Sequence, residues 1–137
     1  MSQLVVHVLE CGRSYVHKAD HRDGTAAKSQ WSIDEADERG CLSKSVASSW
    51  CDTEHAWGVH RVSGQVRHLG IAQNRVTQLF VAKYVNGQNN LWHGYPADPQ
   101  RHSQDIPPQY VLNSWLSLDI LPAAKIRKIQ RGQRCQL

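Results

Sequence analysis

The sequence predicts a small α+β fold, an antiparallel sheet of about four to five strands with short N-terminal helices and a C-terminal helix pair. Two observations carry that expectation. Apolar runs bounded by turn residues recur between residues 57 and 95, as in a β-meander. Two apolar stripes of helical period then follow, each opened by proline, between residues 107 and 132. The length of 137 residues, 40% of them apolar and 20% charged, suits one domain over 1–137 with a core of its own.

Residues 3–9 predict a buried strand, apolar on both faces, and 17–30 an exposed loop. Ser32-Ile33-Asp34-Glu35 has the pattern of a capping box, with Trp31 placed as its hydrophobic staple and Gly40 as the stop of a short helix. Leu42, Val46 and Trp50 at i, i+4 and i+8 suggest a second short helix. The meander is read as Trp57 to Val62, Val66 to Ala72, Gln78 to Val85 and Leu91 to Tyr95, with Pro96 as its end. Gln78 to Val85 is apolar on both faces and is expected to be central. A polar connector, 97–106, leads to one helix bearing Val111, Leu112, Trp115 and Leu116. A second helix follows, opened by Pro122, held by Ile126 and Ile129 and ended by Gly132.

The longest apolar run, Leu79 to Ala82, is far short of the ~20 residues that cross a bilayer. No basic segment precedes the first apolar run, so a cytoplasmic protein with no membrane partner is expected. Cys11, Cys41, Cys51 and Cys135 are scattered and predict free thiols. Exposed tryptophans among the five present would make a homodimer an option.

Charge is divided along the chain. Residues 1–55 hold six basic and nine acidic side chains, whereas 56–137 hold ten and three. Lys125, Arg127, Lys128, Arg131 and Arg134 crowd the C-terminal helix, and no acidic residue follows Asp119. With Ile126 and Ile129 turned inward, those cations face outward and suit the phosphates of a nucleic acid or an acidic protein surface. Two helices on a three-residue connection also loosely fit a helix-turn-helix. The first expectation is therefore non-catalytic binding of an anionic partner, nucleic acid first. Cations at a helix C-terminus also suit its dipole and are often only solvated.

Two alternatives stand beside it. Trp92, His93 and Tyr95 cluster at the end of a strand and could line a ligand or enzyme pocket, with Asp98 or Asp105 supporting His93 as a base. Simple alternation would instead put Trp92 in the core and His93 outside. The other alternative is a protein-binding module of the immunity or antitoxin type. The pairs His17/His21 and Cys51/His55 have ligand-type side chains but no zinc spacing, so no metal is expected. No P-loop, dinucleotide fingerprint or nucleophile elbow is present, so no cofactor is expected and no enzyme class is indicated.

Overall fold

A computed structural model describes residues 5–134. Gln3 and Leu4 of the first predicted strand, and Cys135, lie outside the described residues. The elements run β1 (His7–Val8), β2 (Ser14–Tyr15), β3 (Gln30–Trp31), α1 (Glu35–Ala47), β4 (His55–Val62), β5 (Gln65–Arg67), β6 (Gly70–Ile71), β7 (Gln78–Leu79), β8 (Val81–Asn86), β9 (Leu91–Pro96), α2 (Gln109–Ser117) and α3 (Ala123–Gln130). The α+β class and the C-terminal helix pair are as expected. The strand count is not: a six-stranded sheet ordered β1-β2-β9-β8-β4-β5 accompanies a three-stranded one ordered β3-β6-β7.

The meander β4–β8–β9 is the centre of the large sheet. Each inner face is set by alternation along these strands. Trp57, Val59 and Val81 point to one side and pack with Val111, Leu112, Trp115, Ile126 and Ile129 of α2 and α3. Ala56, Ala82, Tyr84 and Trp92 point to the other and pack with Cys41 and Leu42 of α1. The small residues let α1 come close: a Cβ on Gly58 would stand 3.1 Å from the Cys41 carbonyl oxygen. The sheet is therefore sandwiched between one helix and two.

Several expectations are corrected. The N-terminal segment is no buried central strand. Val5, Val6 and Val8 are exposed, and β1 sits at the sheet edge, pairing only with β2. Apolarity on both faces reflects composition there, not burial. The sheet is not wholly antiparallel, because β2 pairs parallel to β9. The two predicted short helices are one. Asp34, not Ser32, is its N-cap and accepts from the Asp37 amide, and the helix runs through Gly40. Burial of Glu38, Cys41, Leu42 and Ser45 along one face outweighs the ~1 kcal/mol that a mid-helix glycine costs. The predicted strand Val66 to Ala72 divides between two sheets, and Gln78 to Val85 breaks at Phe80, leaving β8 central. Pro96 closes β9 from within. The predicted loop at 17–30 holds a 3-10 turn, Ala19–His21, and the start of β3.

The small sheet lies against the end of β9. Gly70 makes this approach feasible, since a Cβ there would come within 2.4 Å of the Pro96 ring and 2.6 Å of the Gln30 carbonyl oxygen. The Ser29 hydroxyl donates to the Pro96 carbonyl at 2.8 Å. This junction forms one wall of the cleft described below.

Candidate functional site

On α3, Ile126 and Ile129 are buried, and the exposed side chains between and after them are the cations Arg127, Lys128 and Arg131 together with the neutral Gln130 and Gln133. Arg127, Lys128 and Arg131 are exposed and take part in no ion pair among the described residues. Lys125 is half-buried. Arg134 departs from the expectation of an outward cation. It reaches back to the buried Asp98, with Nη2 and Oδ2 2.8 Å apart. The helices are joined by five residues, Leu118–Pro122, rather than three.

Strand β9 separates the three residues of the predicted pocket. Trp92 points into the core beneath the Arg13 guanidinium, 4.1 Å from its ring centroid, and is closed to a base or sugar. His93 and Tyr95 share the opposite face. His93 makes no bond to Asp98 or Asp105. Burial and the neighbouring charges of Lys18 and His21 hold its pKa below the ordinary histidine value. The supporting carboxylate expected for it belongs to Tyr95 instead, whose hydroxyl donates to Asp105 Oδ1 at 2.7 Å.

Tyr95 lines a cleft of about 300 Å³ with His21, Ser29, Gln73, Asp98 and Asp105, and Lys28, Arg101 and His102 also line it. The imidazole of His21 stacks on the Tyr95 ring at 5.2 Å. Beneath them Lys83, which is 5% exposed, points from β8 toward Asp105 Oδ1 at 3.6 Å and donates to the Gln104 carbonyl at 2.6 Å. Asp105 also accepts from the Asp98 amide at 2.9 Å. Burial lowers the Lys83 pKa, and Asp105 partly offsets that; burial together with Asp105 raises that of Tyr95. Lys83 was not legible as a site residue, because a lone Lys in an apolar strand carries no motif; Asp105 is a carboxylate the sequence offers, but its partners are Tyr95 and Lys83 rather than His93.

A second buried network centres on Glu38, which is fully buried on α1. It accepts from the Tyr15 hydroxyl, from His17 Nδ1 at 2.9 Å and from Arg22 Nε and Nη2 at 3.1 and 2.7 Å. His17 is thus committed to Glu38, and His21 Nδ1 to the Ser29 carbonyl at 2.9 Å. Cys51 lies against Arg13. The four candidate zinc ligands are not brought together. Among the described residues no three His, Cys, Asp or Glu side chains form a group that could hold a metal ion.

No helix of the described residues is long and apolar enough to cross a membrane. All five tryptophans are buried, so none marks an exposed contact surface, and the motive for a homodimer falls away. Compared with known proteins, the chain matches no family model, and no curated protein or solved structure is significantly similar to it.

Proposed function

We propose that the protein binds an anionic partner without catalysis, nucleic acid first, through the outer face of α3. One observation carries this reading: Arg127, Lys128 and Arg131 project from a helix anchored by Ile126 and Ile129, and none of the three is neutralised by an ion pair among the described residues. Unpaired cations on a fixed helix add their fields toward a phosphate backbone. Arg134 contributes less, being held by Asp98. Fluorescence anisotropy with duplex and single-stranded oligonucleotides across a salt series tests it. Three phosphate contacts give a log–log slope of about −2.7 for duplex DNA. Changing Arg127, Lys128 and Arg131 together to Gln should flatten that slope and leave the fold intact. Absence of binding at low salt, or binding unchanged in the triple variant, overturns the reading.

A second reading is favoured by the cleft at Tyr95, where a buried lysine, a tyrosine and a carboxylate meet beneath polar walls. Convergent polar groups with displaced pKa values in a cleft are the usual mark of a ligand or enzyme site. The immunity or antitoxin reading has less support. It would use a broad apolar face, for which the exposed Val5, Val6 and Val8 at the sheet edge and Tyr110, Leu116 and Leu118 at α2 are among the available side chains.

A further inference from the structure

A different cleft, of about 400 Å³, opens where β2 meets the β8–β9 turn, lined by Arg13, Ser14, Thr53, Asn86, Asn90 and Trp92 together with Gly12. Arg13 is its only charged lining residue. The guanidinium lies over the Trp92 ring at 4.1 Å, and Trp92 is itself buried. Nη2 makes a long contact to Cys51 Sγ at 3.6 Å, and Nη1 is buried with no hydrogen-bond partner. Asp52 feels the charge of Arg13 but forms no ion pair with it, and its Oδ1 already accepts from the amides of Glu54 and His55 at 2.8 and 2.7 Å. A half-buried arginine is ordinarily held by a carboxylate or phosphate, and this one is not.

Asn86 supplies the complementary group. Its Nδ2 donates to the Thr53 carbonyl at 3.1 Å and to Asn90 Oδ1 at 3.4 Å. The Thr53 carbonyl can only accept and so fixes the orientation of the amide, because a flipped group would set oxygen against oxygen. Oδ1 is then left buried and without a partner. Two residues lining one cleft therefore carry an unmatched cationic donor and an unmatched acceptor, both of them buried.

We propose that this cleft binds a small carboxylate that carries an adjacent N–H or O–H donor, as α-hydroxy and α-amino acids do. The carboxylate faces the guanidinium of Arg13, and the donor reaches Asn86 Oδ1 after a small side-chain rotation. The Trp92 ring holds the guanidinium plane in place, which favours a planar carboxylate over a compact tetrahedral anion.

The test is an NMR titration of the full chain at constant ionic strength with glycolate, acetate and inorganic phosphate as probes. Glycolate should shift the Arg13, Asn86 and Trp92 side-chain signals saturably. Acetate, which lacks the donor, should bind about fivefold more weakly, the factor that one net hydrogen bond makes. Arg13→Gln should abolish the shifts. Because Arg13 also packs on Trp92, Thr53→Glu serves as the second variant. Thr53 is exposed on the cleft wall, and a carboxylate there should weaken glycolate binding at least tenfold by repulsion while the Arg13–Trp92 stack stays intact. Glycolate shifts confined to α3, or glycolate affinity unchanged in Thr53→Glu, overturn the proposal. Phosphate binding more tightly than glycolate overturns the assignment to a carboxylate.

Discussion

Replacing Asp105 by Asn removes one charge with almost no change in shape, and the consequences follow from three contacts. Asp105, 1% exposed, accepts from the Tyr95 hydroxyl and the Asp98 amide and neutralises Lys83. An asparagine can present its oxygen to only one side. If it faces Tyr95 and Lys83, its amide group confronts the Asp98 N–H, and that donor is orphaned at about 1–3 kcal/mol. Lys83 is left without its counter-charge in a site that is nearly closed to solvent. Breaking a buried pair by removing one partner costs about 3–5 kcal/mol, and we expect a loss in that range. With a urea m-value of about 2 kcal/mol/M, the unfolding midpoint should fall by roughly 2 M. Adding Lys83→Met should recover part of the loss, since no stranded charge remains.

A pH arm gives the sign. Burial holds the folded pKa of Lys83 below its unfolded value. Between those two values the unfolded chain binds more protons, so this group makes stability rise with pH. The penalty is complete below the folded pKa and gone above the unfolded one. Without Asp105 the folded pKa drops further, and the rise should begin at lower pH in the variant than in the parent. A midpoint that moves by less than about 0.5 M, or a loss relative to the parent that does not shrink as the pH rises through the Lys83 range, would refute the reasoning.

Two further outcomes are expected. Val81→Asp should unfold the domain in far-UV circular dichroism at 25 °C, because Val81 is buried on the central strand beneath α2 and α3 and an unpaired carboxylate has no partner there. In a thiol titration without denaturant, Cys41 should react last: it is buried, and burial pushes its thiol up to about 12, whereas Cys11 and Cys51 are partly exposed.

Much of the fold was legible where local pattern and burial agree. The alternation of Leu91 to Pro96 placed Trp92 inward, and the prolines at 108 and 122 opened the two terminal helices. The failures share a cause, which is that sequence-distant partners decide burial. Glu38 stands in the acidic run 34–38 and reads as solvated. Its burial is possible only because Arg22, His17 and Tyr15, from a segment that looks like loop, converge on it. Arg134 reads as one more outward cation until Asp98, 36 residues earlier, captures it. Asp105 reads as a partner for His93 but bonds Tyr95, which stands on the same face of β9 one strand repeat further along. The split of 66–72 between two sheets falls beside Arg67-His68, the polar pair of an otherwise apolar run.

The parallel pairing of β2 with β9 bears on the order in which the molecule assembles. The pairings among β4, β8 and β9 join neighbours in the chain or elements separated by modest loops. The contact of Ser14 with Leu91 instead closes a loop of about 77 residues, at roughly 4 kcal/mol of chain entropy. Such a contact is rewarded only after β9 already has its place, so the N-terminal segment docks onto a preformed sheet. Arg13, Tyr15 and Arg22 all arrive with that segment. The Glu38 network and the Arg13 cleft therefore both depend on the docking of that segment. A ligand in that cleft would slow the release of residues 5–31 in hydrogen exchange, since that opening destroys the site.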